Sequence, residues 1–99
     1  MLTHVVIFWA DAPVEENRAK LLEGVKELKN IPGVMNFRFG GPVPSPRAAV
    51  DDSFAVAISM DFEGKDELDA YQVHPIHKAF LAEYVGTVAK RVLVYDYAA

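Results

Sequence analysis

Two periods of apolar residues alternate along the chain. Leu2–Trp9 is rich in β-branched and aromatic residues and reads as a strand, with Leu2, His4, Val6 and Phe8 on one face and Thr3, Val5, Ile7 and Trp9 on the other. Asp11-Ala12-Pro13 breaks it. Val14–Asn30 then sets Leu21, Leu22, Val25 and Leu28 on one stripe with most of its charges elsewhere, the pattern of an amphipathic helix. Ile31-Pro32-Gly33 stops that helix, and alternation returns over Val34–Gly40, Met35, Phe37 and Phe39 against Val34, Asn36 and Arg38. Gly41–Asp52 has no period and carries Pro42, Pro44 and Pro46; a loop of this length in a small domain is expected beside a pocket or an interface. Ser53–Phe62 alternates large Phe54, Val56, Ile58 and Met60 with small Ala55, Ala57 and Ser59. Helical spacing resumes in two pieces. Glu63–Val73 turns Leu68 and Tyr71 inward, and Pro75–Ala89 turns in Phe80, Leu81, Tyr84, Val85 and Val88. Arg91–Tyr97 is the last strand.

The order βαββαβ predicts an α+β, ferredoxin-like fold: a four-stranded antiparallel sheet with both helical regions on one face, in a single domain over residues 1–99. A sheet covered on one face should turn polar on the other. The first, third and fourth strands do not, and a bare apolar sheet exceeds what a soluble monomer exposes. The expectation is therefore a homodimer, sheet against sheet about a two-fold axis, closing a dimeric α+β barrel.

Composition narrows the partners. The net charge is -4 and no run of Lys or Arg stands out, which argues against nucleic acid or an anionic membrane as a partner. No apolar run reaches the roughly 20 residues of a membrane span. No basic segment followed by an apolar one opens the chain, so no signal peptide is expected and a cytoplasmic location is. The absence of cysteine removes disulfides, thiolate metal sites and cysteine nucleophiles from consideration.

The candidate chemistry is concentrated in Tyr71-Gln72-Val73-His74-Pro75-Ile76-His77. Pro75 disfavours helix at His74 and suits the first position of a new helix, so His74 sits at a joint and His77 in the first turn beyond it. The partial positive charge of a helix N-terminus favours neutral imidazole at His77, a base at neutral pH, while the Tyr71 phenol can donate to an oxygen. The same residues also read structurally, with Pro75 as a helix break, His74 as a cap, Tyr71 as packing and His4 as a hydrogen-bonded core histidine. Three nitrogens from His4, His74 and His77 make a metal site the weaker reading, because the motif has no acidic ligand and the proline joint splays His74 from His77. No metal and no cofactor is expected.

These residues resemble the stress-responsive α/β-barrel (Dabb) family of the dimeric α+β barrel group. The likeness is carried by His4 in Thr-His-Val-Val-Ile-Phe, by Ile31-Pro32-Gly33-Val34, by Tyr71-Gln-Val-His74-Pro75-Ile-His77-Lys-Ala-Phe80 and by the closing Val-Leu-Val-Tyr95-Asp96-Tyr97. The resemblance implies a pocket between sheet and helices. In one plant branch of the family a tyrosine and the second histidine of His-Pro-x-His move protons in an intramolecular aldol-type closure of a polyketide. By position these are Tyr71 and His77, as catalytic residues, with His4, His74, Phe80 and Val56 as ligand contacts. Val56 stands where that branch carries a polar residue, so the resemblance leaves this chain's substrate and reaction open. The expected activity is a cyclase-like lyase or isomerase acting on a small apolar or carbonyl-containing ligand. The alternatives are a non-catalytic ligand-binding or structural oligomer of the stress response, and a cofactor-free monooxygenase as in neighbouring branches.

Overall fold

The computed structural model describes every residue from Met1 to Ala99. Strand β1 (Leu2–Ala10) leads to helix α1 (Val14–Val25), which tightens into a 3₁₀ stretch over Lys26–Asn30. Strands β2 (Met35–Gly40) and β3 (Val56–Phe62) follow, then helices α2 (Lys65–Val73) and α3 (Pro75–Phe80). A π-helical turn over Leu81–Val85 and a last turn at Gly86–Val88 connect α3 to strand β4 (Ala89–Ala98). The sheet order is β2-β3-β1-β4 and every pair is antiparallel. This is the ferredoxin-like α+β arrangement expected from the order of elements.

The two periods become two layers. Val6 and Phe8 of β1 and Val56, Ile58, Met60 and Phe62 of β3 are buried beneath the helices. From above they meet Leu21 and Val25 of α1, Leu68 and Tyr71 of α2, and Phe80 at the end of α3. Burying such side chains contributes about 1.5–3 kcal/mol each, and this layer is the core. The molecule is only 17 Å thick along its shortest axis, one sheet under one layer of helices.

β4 departs from this pattern. Val92 and Val94 pair across from Phe8 and Val6, so they share the helix-facing side, yet they are 41% and 45% exposed. The helices roof β1 and β3 and stop short of β4, and the strip left open becomes the cavity described below. On the sheet's other side Val5 and Ile7 lie across from Tyr95 and Leu93 and from Ser59 and Ala57, with no element of the chain above them.

Several boundaries differ from the sequence reading, each for a local reason. β3 starts at Val56 rather than Ser53, because the Ser53 side chain is taken up by Trp9 while Ala55 still reaches β1. The Trp9 indole donates to Ser53 Oγ at 3.0 Å and Ala55 N–H donates to the Phe8 carbonyl at 2.8 Å. The loop after β2 thus packs against Trp9 on the open side of the sheet, where the Arg91 guanidinium also lies 4.4 Å from the ring centroid. The helix expected over Pro75–Ala89 widens into the π turn before it ends at Val88.

Helix α1 and the π turn meet at one close approach. A Cβ built on Gly24 would stand 2.5 Å from Tyr84 Cγ, the ring carbon nearest the backbone and the least able to move aside. Gly24→Ala gains helix propensity, worth about 0.5–1 kcal/mol, but overpacking costs about 1–3 kcal/mol. The clash is with the root of a ring, so the steric cost wins. Thermal unfolding is expected several degrees lower, with Tyr84→Leu in the same chain restoring much of the loss; an unchanged or raised Tm contradicts this.

Candidate functional site

A cavity of about 210 Å³ opens between the helices and the uncovered strip of sheet. Its floor is His4, Val6 and Phe8 of β1, Ile58 of β3, and Val92 and Val94 of β4. Tyr71 and Gln72 of α2, His77 and Phe80 of α3, and Leu81 form its roof and rim. Of the residues singled out from the sequence, Tyr71, His77, His4 and Phe80 therefore meet on one cavity.

His74 and Val56 do not line it. His74 is extended (φ -66°, ψ 141°) and is the N-cap of α3, with Pro75 at the first helical position. Its Nδ1 accepts the Ile76 N–H at 3.1 Å, so the side chain is spent on a free helix donor instead of a ligand. Val56 is 0% exposed, closed over by the core at the far end of the sheet strip from His4. With His74 capping a helix, the three histidines do not converge, and no group of three His, Asp or Glu side chains is placed to hold a metal ion.

The Tyr71 side chain is held on three sides by rings. Its centroid lies 5.2 Å from Phe62, 5.8 Å from His4 and 4.7 Å from His77. The residue is 1% exposed and burial pushes its phenol well above the usual range, so it carries its proton at any working pH. Its hydroxyl has no partner in the chain, although no fully buried polar side-chain atom is left unsatisfied. The hydroxyl therefore opens onto the cavity as a free donor.

His77 is fixed by its backbone. Nδ1 lies 3.0 Å from the Gln72 carbonyl, an acceptor only, so Nδ1 carries the proton and Nε2 keeps the lone pair. Burial lowers the His77 pKa, the carbonyl bond opposes that, and the neighbouring His4 adds to the lowering. The sequence argument from the helix N-terminus reached the same direction, but the larger cause is removal from water. The groups facing this imidazole are His4 from β1 and Tyr71 from α2, with Asp96 of β4 behind His4.

That depression has a pH consequence. An unfolded histidine titrates near about 6.5. Because the folded pKa is lower, the unfolded chain binds the proton first as pH falls. The stability linked to neutral His77 is complete above about 6.5 and is lost as pH drops through the folded pKa. The His77 imidazole should titrate by NMR with a midpoint below 6.5, and His77→Gln should flatten the acid side of the Tm profile. A midpoint at or above 6.5 contradicts this.

Sequence reasoning missed Asp96. His4 is buried, and its Nδ1–H donates to the Asp96 carboxylate. The two residues are 92 positions apart but directly paired across β1 and β4. The available signal was the alternation Val92, Val94, Asp96, which puts a carboxylate on the cavity side of the last strand. Such a partner fixes the His4 ring and its tautomer. The apolar lining from Ile58, Val92 and Val94 was also missed, since it depends on where the helices stop.

Comparison with known proteins agrees with this fold. The family described as the stress responsive A/B barrel domain matches residues 2–99. A stress-response A/B barrel domain-containing protein of Arabidopsis thaliana is 34% identical over 91 residues, 91% of this chain and 78% of that protein. A structure from Jannaschia, described as a dimeric ferredoxin-like protein of unknown function, has a TM-score of 0.80 at 25% identity, covering 99% of this chain and 98% of that one. A hydroxynitrile lyase of Passiflora edulis shares the fold alone, at 18% identity and a TM-score of 0.77 over 97% of this chain and 90% of its own. No helix is long and apolar enough to cross a membrane. The match over residues 2–99 and the 34% identical relative place the chain in the stress-responsive A/B barrel domain family.

Proposed function

We propose that the protein is a homodimeric enzyme that enolises a small carbonyl substrate, the first half of a cyclase-like lyase or isomerase reaction. In this reading His77 Nε2 removes a proton from the carbon beside the carbonyl. The electron pair moves into the carbonyl, and the developing oxyanion is met by the Tyr71 O–H. General acid–base catalysis of this kind contributes about 10²–10⁴-fold, and a donor already in place adds to it without reorganising. The observation that carries the reading is the Tyr71 hydroxyl, unpartnered on a residue 1% exposed and one ring away from a histidine whose burial favours the neutral base. A purely structural tyrosine would have its hydroxyl bonded within the chain.

The experiment is exchange of the α-hydrogens of acetophenone for deuterium in D₂O, followed by proton NMR. Exchange well above the rate with a His77→Ala variant supports the reading. Binding without exchange favours the alternative, a protein that holds a small ligand and leaves it unchanged.

A further inference from the structure

We infer that this cavity is built for an uncharged carbonyl compound of about one ring's size, and that Phe80 is the residue that sets the upper limit. The inference rests on the enolising reading for the word carbonyl only; charge and size are read from the walls.

Charge comes first. The cavity lining contains no lysine and no arginine. Behind His4 stands the Asp96 carboxylate, which takes its Nδ1–H. His77 is held toward its neutral form. An anionic ligand would leave water for a largely apolar chamber with no lysine or arginine to meet it and with the His4 imidazole already matched to Asp96, which is heavily disfavoured. A neutral ketone or aldehyde loses little and gains the Tyr71 hydroxyl.

Size follows from a partition. An apolar cavity of roughly 150 Å³ accepts a benzene, so about 210 Å³ holds one ring and a short substituent. Behind the Phe80 ring lies a second cavity of about 320 Å³, between α1 and α3, bordered by Gly24, Ile76, Ala79 and Tyr84. Phe80 lines both chambers. Its ring is set edge-on to Phe8 at 5.8 Å on the first side and stacked with Tyr84 at 6.0 Å on the second. The backbone widens into the π turn immediately after it, a local device that recurs at functional sites. A smaller side chain at position 80 joins the chambers and lets a ligand chain pass.

The test is binding, read from backbone and His77 imidazole shifts during NMR titration. The probes are acetophenone, its anionic counterpart benzoate, and hexanophenone, with wild type, Phe80→Leu and Phe80→Ala. Wild type is expected to bind acetophenone about tenfold or more tighter than benzoate near pH 7.5, and tighter than hexanophenone; one methylene in a pocket shifts preference by about 10-fold or more. Phe80→Leu, the gentler change, should move the hexanophenone-to-acetophenone ratio about tenfold toward the longer ketone, and Phe80→Ala further if it folds. Benzoate binding as tightly as acetophenone, a ratio unmoved in Phe80→Leu, or no shift at Tyr71 and His77 with any probe overturns the inference. If the selectivity appears but α-exchange does not, the catalytic reading fails and this one stands. If exchange is seen and benzoate competes with acetophenone as an equal, the reverse holds.

Discussion

Replacing His77 by alanine is expected to lower α-carbon exchange by about 10²–10⁴-fold, the usual share of a positioned general base. Tyr71→Phe is expected to lower it by about 10²–10³-fold, the loss seen when one donor to an oxyanion is removed. The two variants should differ in stability in an informative way. Tyr71→Phe keeps the ring among Phe62, His4 and His77 and removes a hydroxyl with no partner in the chain, so the Tm should hold or rise slightly. His77→Ala breaks the bond to the Gln72 carbonyl, a net loss of about 0.5–1.5 kcal/mol, while relieving the burial of a titrating ring. A structural tyrosine would show the opposite pattern, with stability lost and exchange untouched. The double variant should be little slower than the worse single one, because groups acting in one step are not additive.

What could be read in the sequence was whatever neighbours along the chain determine. Pro75 decides the conformation of His74 and the start of α3, and both are where the dipeptide put them. Leu68 and Tyr71 share a stripe because they are one helical turn apart, and the β1 alternation put His4 on the same side as Val6 and Phe8. These local rules assembled most of the site. The cap role of His74 was legible too, as the structural alternative to a ligand contact, and the Ile76 N–H decides between them. What was not legible depends on distant partners. Asp96 meets His4 only through the register of two strands at opposite ends of the chain. Val56 was expected at the ligand by analogy of position, but whether a strand residue is core or lining is set by the edge of the helical roof. The π turn was hidden because Phe80, Tyr84 and Val88 keep a spacing that an ordinary helix would also show. Ser53 left the third strand because Trp9, on a neighbouring strand, has an indole N–H to satisfy.

Ile7→Glu is expected to convert the protein from dimer to monomer at micromolar concentration. Ile7 sits on β1, an inner strand, in the middle of the open face, flanked by Ala57 and Leu93. It is already half-buried in the single chain, and a glutamate there can still reach water when that face is bare. In a two-fold dimer closed through this face the carboxylate is buried and brought toward its own copy. A buried charge without a partner costs about 3–5 kcal/mol, and each 1.4 kcal/mol is about tenfold in affinity, so the dissociation constant should rise by about 10²-fold or more. Interfaces of this obligate kind bury roughly 2,000 Å² or more, which an uncovered four-stranded sheet can supply. The measurement is sedimentation equilibrium on wild type, Ile7→Glu and Lys20→Glu, the last on an exposed position of α1 on the opposite side of the sheet. Lys20→Glu should stay dimeric. Because β1 also carries His4 on its other side, separating the sheets should loosen the cavity floor, so the Ile7→Glu monomer should bind acetophenone more weakly although nothing in the cavity was changed. A wild-type protein that sediments as a folded monomer at micromolar concentration would sink the assembly, and the coupling from interface to cavity with it.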